Sequence, residues 1–311
     1  MILSPFLMNL LERCGLMLEP QEGLMAGDVV KAARLAEKLG FGYIFRSDHL
    51  LPTSGRRGIP SAECWTTLGA IAVSTDRVRF GPLVSPIGFR NPALLARMAS
   101  TVNSLSKGRL QLGIGAGWYE DEYKAYGFPF PDFRKRREQF LEGVRIIRAL
   151  VRDGRVDFAG KWFSAHVETQ LDIRDLHIII GGKAPSIVRA ASVYADEWNL
   201  FAPEKEEFLK LKQNLRPQIE VSQMSPFFIA ETAEELQEKI KRRMKSMGST
   251  LTYDEYYKRL KSRNAIVGIP REVVSQLNER IEWGINKFYM QTLEPEDEGS
   301  VTLLAETLKS A

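Results

Sequence analysis

Histidine is the side chain that can exchange a proton near neutral pH, and the chain has three of them, His49, His166 and His177. His49 follows Asp48 directly after the apolar run Tyr43–Phe45. A histidine at the end of a buried strand can pass a proton to a bound molecule, although it can equally be an ordinary hydrogen-bonded loop residue. Adjacent side chains of an extended chain point to opposite sides. Asp48 is therefore expected to act separately, as an acceptor for a bound molecule or as a cap of the loop.

A second candidate is the segment Gly181-Gly182-Lys183-Ala184-Pro185-Ser186. Pro185 in the first turn of a helix leaves the neighbouring backbone amides free, and the helix dipole favours an anion there. With the positive charge of Lys183, these amides would suit a phosphate group. The alternative is a plain glycine turn that carries a solvated lysine.

The run Gly113-Ile114-Gly115-Ala116-Gly117 ends another apolar segment. It is not a dinucleotide fingerprint, because Trp118 stands where the third glycine would be and no acidic residue ends a following strand at the expected distance. Glycines at a strand end still allow a flat ring to approach the backbone. The alternative is a tight turn without a ligand.

The sequence lacks the residues and motifs that several other kinds of site require. Cys14 and Cys64 are far apart, and the sequence contains no HExxH, GxSxG or Walker A motif, so we expect no metal site, disulfide framework or serine nucleophile. The acidic segment 120–122 is predicted to be a helix-start cluster rather than the carboxylate pair of a glycosidase.

The elements that must position these residues alternate between β-type and helix-type periodicity. The predicted strands are Cys14–Leu18, Tyr43–Phe45, Arg77–Leu83, Leu110–Ile114, His177–Ile180, Trp198–Phe201, Phe227–Ala230 and Phe288–Gln291. Eight strands with intervening helices predict an α/β fold, a (β/α)8 TIM barrel with insertions near the barrel mouth. A doubly wound sheet is the second choice, since it usually has fewer strands and a glycine-rich first turn, where this chain has Glu19-Pro20-Gln21-Glu22. In a barrel, all the candidate residues lie at the carboxyl ends of strands, which form one mouth.

We predict one barrel domain over residues 1–311, with an N-terminal extension at 1–11. Two segments break the rhythm, residues 152–176, expected to be a hairpin over the mouth, and about 242–264, charged and expected to be helical.

Composition limits the partners. Hydrophobic residues make up 44% of the chain and charged residues 26%, which excludes a disordered or fibrous protein. The net charge of +4 is small and there is no basic arm, so nucleic acid is not expected as a partner. No apolar run approaches the ~18 residues of a membrane span, and the first residues lack the basic segment of a signal peptide. We expect a cytoplasmic protein that binds a small molecule.

The sequence resembles the luciferase-like (bacterial luciferase) superfamily of flavin- and F420-dependent oxidoreductases. The motifs that carry the resemblance lie in order between about residues 13 and 201, and the rest of the chain matches only loosely. They are Leu39-Gly40-Phe41, Ser47-Asp48-His49, Glu63-Cys64-Trp65-Thr66, Arg90-Asn91-Pro92, Ser106-Lys107-Gly108-Arg109-Leu110, Gly115 to Tyr119-Glu120, Gly127-Phe128-Pro129-Phe130-Pro131, Ile180-Gly181-Gly182 and Tyr194-Ala195-Asp196. The segments around Glu63, Trp118 and Phe128 are most similar to the subgroup that uses coenzyme F420.

The resemblance implies a ring in the barrel mouth, with His49 as the catalytic or ring-proximal residue and Asp48 at the position that contacts the ring. It also implies a non-proline cis bulge at Leu83, Val84 and Ser85, and a cofactor-phosphate loop at Gly181, Gly182 and Lys183. Sugar-phosphate dehydrogenases of this family carry a glutamate where Trp118 stands, which argues against that activity here.

The activity that the resemblance implies is hydride transfer between F420 and a small organic substrate, with His49 handling the proton. Two alternatives remain, an FMN-dependent monooxygenase that uses O₂ and a flavin-binding protein without catalysis. Relatives are often dimers, so a homodimer is expected by analogy of fold.

Overall fold

The computed structural model describes residues 9–168, 173, 175–292 and 297–311. The strands within these ranges are β1 Cys14–Leu18, β2 Tyr43–Arg46, β3 Arg79–Pro82, β4 Ser85–Pro86, β5 Gln111–Gly115, β6 Arg155–Ala159, β7 Ser164–Glu168, β8 His177–Gly181, β9 Glu197–Phe201, β10 Glu220–Ile229, β11 Ile266–Gly268 and β12 Lys287–Gln291. The helices are α1 Ala26–Leu39, α2 Cys64–Ser74, α3 Pro92–Leu105, α4 Glu120–Ala125, α5 Phe133–Asp153, α6 Pro185–Tyr194, α7 Lys205–Lys212, α8 Ala233–Ser246, α9 Tyr253–Ser262, α10 Pro270–Trp283 and α11 Glu298–Lys309.

The main sheet is a parallel (β/α)8 barrel, as predicted. Its strands pair in the order β3-β2-β1-β12-β10-β9-β8-β5-β4, with β4 continuing β3 after a short break. A parallel bridge between Phe80 in β3 and Leu110, just before β5, joins the two ends of this order. The carboxyl ends of the strands therefore meet at one mouth.

Helix boundaries follow local sequence signals. Asn91 caps α3 by accepting hydrogen bonds from the N–H groups of Ala93 and Leu94, with Pro92 in the first turn. Gly40 ends α1 in the left-handed conformation, at φ 96°. These signals let the sequence place the helices that surround the first half of the barrel.

The predicted seventh strand is displaced along the chain. Residues Ser222–Pro226 pair with β12 in the barrel, whereas the predicted run begins at Phe227, where β10 pairs instead with β11. The barrel part of β10 carries buried Ser222 and Gln223, which interrupt its apolar pattern. Because the later part of β10 is more apolar, the sequence prediction placed the seventh strand too far along the chain.

The first insertion forms the expected hairpin from β6 and β7, but it does not cover the mouth. Glu142 in α5 accepts hydrogen bonds from the backbone N–H groups of Lys161, Trp162 and Phe163 in its turn, at 3.0, 2.8 and 3.1 Å. Because α5 runs from the mouth to the opposite face, the hairpin lies along the outside of the barrel. Residues 169–172 and 174 of the predicted insertion lie outside the described residues.

The second insertion is helical, as expected, and contains the end of α8 and all of α9. It packs with Phe228 and Val267 in a small core of its own, beside the carboxyl end of β10. This insertion does lie at the mouth end.

The barrel interior is filled by large side chains from facing strands. They are Met17, Tyr43, Phe45, Leu83, Ile179 and Tyr289. Of the predicted N-terminal extension, residues 1–8 lie outside the described residues, whereas Leu10 and Leu11 are buried in the main core. Cys14 and Cys64 are both buried as free thiols. No helix in the described part of the chain has the length and apolar composition needed to cross a membrane.

Candidate active site

His49 lies at the mouth, just beyond β2, and a buried carboxylate holds its ring. Its Nδ1 lies 3.0 and 3.1 Å from the two carboxylate oxygens of Glu122 in α4, and Glu122 also accepts the N–H of Leu50 at 2.9 Å. The Glu122 side chain is 1% exposed and that of His49 16%. Nδ1–H therefore donates to Glu122, and Nε2 has no protein partner among the described residues.

This pairing shifts the pKa of His49. Burial by itself lowers the pKa, but the hydrogen bond and charge of Glu122, with the charges of Glu19 and Asp48, outweigh burial and raise the pKa above its usual value. The imidazole thus holds its proton more firmly at neutral pH than a free histidine does. Such a group can release or take up a proton within the physiological range.

Asp48 points away from His49, as the alternation of side chains predicts. Arg90 donates to its carboxylate through two nitrogens, at 2.6 and 3.1 Å, and Ser85 donates its hydroxyl at 2.6 Å. Ser85 in turn accepts the indole N–H of Trp65 at 3.0 Å, and Arg90 also pairs with Glu63 at 2.9 Å. The structure therefore uses Asp48 to tie β2, α2 and the loop after β4 together.

The segment Leu83–Ser85 forms the bulge that the family resemblance implies. The peptide bond between Leu83 and Val84 is cis. A Cβ added to Gly115 would lie 2.5 Å from Val84 Cγ2, and one added to Gly181 would lie 3.0 Å from Val84 Cγ1. Gly115 of β5 and Gly181 of β8 thus both pack against the half-buried Val84, which lies between β3 and β4.

The loop after β8 offers unpaired donors. The backbone N–H groups of Lys183, Ala184 and Ser186 have no acceptor among the described residues, and all three lie at the start of α6. Gly182 is not a further free donor, because its N–H donates to the carbonyl of Asn199 at 3.1 Å. The Lys183 ammonium lies beside this loop in an exposed ion pair with Glu207, at 3.1 Å.

Three tryptophans near the strand ends, Trp65, Trp118 and Trp198, differ in role. Trp198 is buried and donates its indole N–H to the carbonyl of Gly182 at 2.8 Å, which fixes the loop. Trp65 is buried beneath Ser85. Trp118 is 65% exposed, and its ring meets that of His49 edge-on at 5.5 Å. Trp118 is the tryptophan that a molecule in the mouth can contact.

A second ionisable cluster lies at the opposite end of the barrel. His177, Glu197 and Glu220 offer ligand atoms that are close enough to hold a metal ion. The ammonium of Lys287, however, lies 2.7 Å from both carboxylates and occupies the place of a cation. Burial raises the pKa of Glu197, but the charge of Lys287 and the hydrogen bond and charge of His177 outweigh burial, and the net pKa is lowered.

Two residues of this site escaped the sequence analysis. Glu122 was assigned to a helix-start cluster, and Arg90 was noted only as part of a motif. Glu122 is the third residue of a short helix whose other acids are exposed, so no periodicity marks it as buried. An arginine beside a helix cap is equally common on surfaces.

Comparisons with known proteins identify the family of the chain. A sequence model of the family described as luciferase-like monooxygenase matches residues 5–293. The F420-dependent glucose-6-phosphate dehydrogenase of Beutenbergia cavernae is 35% identical over 173 residues, which make up 54% of this chain and 51% of that protein. The F420-dependent hydroxymycolic acid dehydrogenase of Mycobacterium tuberculosis is 31% identical over 173 residues, 55% of this chain and 48% of that protein. The chain thus spans about half the length of the curated relatives that it matches.

Among solved structures, the coenzyme F420-dependent tetrahydromethanopterin reductase of Methanopyrus kandleri superposes with a TM-score of 0.76 at 17% identity. The alignment covers 96% of this chain and 98% of that one. At this identity the likeness shows the fold alone.

Proposed function

The chain belongs to the luciferase-like monooxygenase family, and we propose that it is an oxidoreductase that transfers a hydride between coenzyme F420 and a small organic substrate. F420, when bound, supplies the hydride chemistry through its deazaflavin ring. The matching segments of relatives named as F420-dependent dehydrogenases support this choice of cofactor.

The observation that carries the proposal is the pair His49–Glu122. Glu122 holds Nδ1–H, so that Nε2 is left to give a proton to the substrate oxygen or to take one from it. The same pair sets the orientation of the imidazole ring, because both carboxylate oxygens of Glu122 face Nδ1. General acid–base help of this kind contributes about 10²–10⁴ in rate.

The residues present fit the cofactor. The free amides of Lys183, Ala184 and Ser186, together with the Lys183 ammonium, form a donor set for its phosphate. At the strand ends, Gly115 and Gly181 let the Val84 side chain pack directly against β5 and β8, and a compact backbone surface of this kind suits a flat ring. The backbone segments proposed to line this ring are 83–85 and 115–117.

Asp48 has a narrower role in this proposal than a direct ring ligand would have. Three of its acceptor positions are taken by Arg90 and Ser85. We propose that it holds the bulge in place beneath the ring and contacts the ring only through the remaining lone pair of Oδ1.

A second candidate keeps the fold and uses reduced FMN and O₂. The family description as monooxygenases favours it. The two candidates differ in one property of the loaded protein, since a reduced deazaflavin reacts poorly with oxygen. Oxygen consumption with reduced FMN, combined with weak F420 binding, would replace the first proposal by the second.

The test is a fluorescence titration of the purified protein with F420 and, separately, with FMN. We expect preference for F420, and hydride transfer visible as a change in F420 absorbance across a panel of alcohols and carbonyl compounds. His49→Ala should keep F420 binding and lose transfer. The matched control is His166→Ala, because His166 lies on the outer hairpin with Asp157 and should leave both unchanged.

A separate variant tests the proposed phosphate loop after β8. Lys183→Gln should weaken F420 binding, because it removes the ammonium and keeps the backbone amides. Unchanged affinity in this variant would remove Lys183 from the phosphate site. Equal hydride transfer by His49→Ala and the natural protein would remove the histidine from the chemistry.

We further propose that the protein is a cytoplasmic homodimer that contacts its partner copy through α2 and α3. Val73, Leu94 and Leu105 on these helices are large apolar residues that are each at least half exposed. Sedimentation equilibrium of the natural protein and of Val73→Lys tests this, with a dimer expected for the first and a monomer for the second.

A further inference from the structure

A groove of about 1230 Å³ lies at the end of the barrel opposite the mouth. Its lining includes the first residues of several strands, among them Tyr43, Arg79 and His177, and the last turns of α5. Since strands begin at this face and end at the mouth, the groove is separate from the site around His49.

Arginine dominates the lining. The arginines are Arg13, Arg79, Arg145, Arg148, Arg152 and Arg216. Two of them have carboxylate partners, Arg148 with Asp196 at 3.5 Å and Arg152 with Asp153 at 2.7 Å. The three arginines on α5 are three and four residues apart, so they share one face of the helix.

The other four guanidinium groups have no carboxylate partner in ion-pair distance within the described ranges. Their hydrogen bonds go to neutral oxygens: Arg13 to the carbonyls of Asn286 and Ile285, Arg79 to the Tyr43 hydroxyl, Arg145 to the Tyr194 hydroxyl and Arg216 to the Ser192 carbonyl. At the groove floor, the ammonium of Lys287 lies 2.7 Å from the carboxylates of both Glu197 and Glu220. The lining thus has seven cationic side chains, the six arginines and Lys287, against three carboxylates, Asp175, Asp196 and Glu220, so positive charge is in excess on this concave surface.

Stability does not account for this arrangement. Residues at this end of a TIM barrel usually serve the fold, but like charges gathered in a groove repel one another. A bound anion removes the repulsion, and the planar guanidinium group matches phosphate oxygens through paired hydrogen bonds.

We propose that this groove binds a small molecule that carries more than one phosphate group. The unpaired arginines come from separate parts of the chain, before β1, at the start of β3, on α5 and after α7, so they reach several anionic groups at once. Val193, which is 57% exposed, and Tyr194 supply an apolar wall for the organic part. The site is independent of the cofactor proposed for the mouth.

The experiment is a calorimetric titration of the full chain with inorganic triphosphate, repeated with citrate. We expect triphosphate to bind more tightly than citrate, and its affinity to fall as salt is added. Arg145→Gln and Arg216→Gln should each weaken triphosphate binding by about tenfold, a loss of about 1.4 kcal/mol. Arg145 is exposed and makes one weak contact, so its variant keeps the fold even if Arg216→Gln does not.

Two matched variants locate the binding. Arg242→Gln, on the exposed side of α8, changes the net charge equally and should have no effect. Because the loop at Lys183 is itself proposed to hold a phosphate, the titration is repeated in the Lys183→Gln background, where Arg145→Gln should still weaken triphosphate binding. The proposal is overturned if triphosphate does not bind, if citrate binds as tightly, if Arg242→Gln weakens binding as much as Arg145→Gln does, or if Arg145→Gln has no effect in the Lys183→Gln background.

Discussion

At the scale of single residues, the proposed chemistry depends on a pair whose members lie 73 positions apart, His49 and Glu122. Burial lowers the pKa of His49, but the hydrogen bond and charge of Glu122 reverse that effect. A histidine whose pKa is raised in the folded state adds stability that is fully present below its unfolded pKa and is lost as the pH rises through the folded pKa.

Glu122→Gln should lower the pKa of His49, because it removes the charge and leaves burial as the main influence. The measurement is an NMR titration of the histidine ring protons, in which only three signals need assignment. Glu120→Gln, in the same helix turn but exposed, is the control and should leave the titration unchanged. A His49 pKa that stays raised in Glu122→Gln would contradict this account.

We expect substitution of Trp118, an exposed residue at the mouth, and of Trp65, a core residue, to have different effects. Trp118→Ala should leave the free energy of unfolding nearly unchanged, because 65% of the residue is exposed, and should raise the KM of the substrate that occupies the mouth. Trp65→Ala should lower the free energy of unfolding by about 3–5 kcal/mol, because it empties a buried site and leaves Ser85 without its donor. Urea denaturation of both variants checks the pair, and a large loss of stability in Trp118→Ala would place that ring in the core.

At the scale of elements, the mouth depends on how closely neighbouring strands approach the bulge after β3. Val84 lies against glycines of β5 and β8, and no larger residue fits there without displacing it. The bulge and the two strand ends thus form one packed unit beneath the proposed ring site.

Gly115→Ala should cost about 1–3 kcal/mol of stability, because its Cβ would lie 2.5 Å from Val84 Cγ2. Gly69→Ala in α2 is the matched control: nothing lies within 4 Å of the added Cβ, so it should raise stability by about 0.5–1 kcal/mol. Thermal unfolding of both proteins measures the difference. Equal stability of the two would mean that Val84 moves freely.

At the scale of the whole molecule, ionic contacts link the beginnings of several strands at the base of the barrel. Lys287 bridges Glu197 from β9 and Glu220 from β10, and Tyr289 donates its hydroxyl to Glu197 at 2.7 Å. Because the pKa of Glu197 is lowered in the folded state, its stabilisation is present above the unfolded pKa of about 4.3 and is lost as the pH falls below it.

Lys287→Met should destabilise the protein by about 3–5 kcal/mol at pH 7, because it leaves Glu197 as a buried charge without its main partner. Burial would then raise the pKa of Glu197, so the loss should shrink as the pH is lowered toward 4.5. Denaturant unfolding at the two pH values measures this change, and Lys287→Met combined with Glu197→Gln should show a much smaller dependence on pH. A loss that stays constant with pH would show that Glu197 is not the group responsible.

The sequence by itself determined the barrel, most of its strands, the residues at the strand ends and the family. These properties are local, because hydrophobic periodicity, helix caps and glycine or proline positions depend on near neighbours in the chain. His49 and the loop at Gly181–Lys183 became candidate site residues because a parallel barrel gathers every strand end at one mouth.

Only the tertiary structure decided which groups meet. Glu122 reaches His49, Arg90 reaches Asp48 across 42 positions, and the hairpin packs on α5 because barrel closure brings distant loops together. The gathering of unpaired arginines at the base has the same origin, since Arg13 and Arg216 belong to distant segments. Contacts of this kind follow from the arrangement of whole elements in space, and local sequence patterns do not predict them.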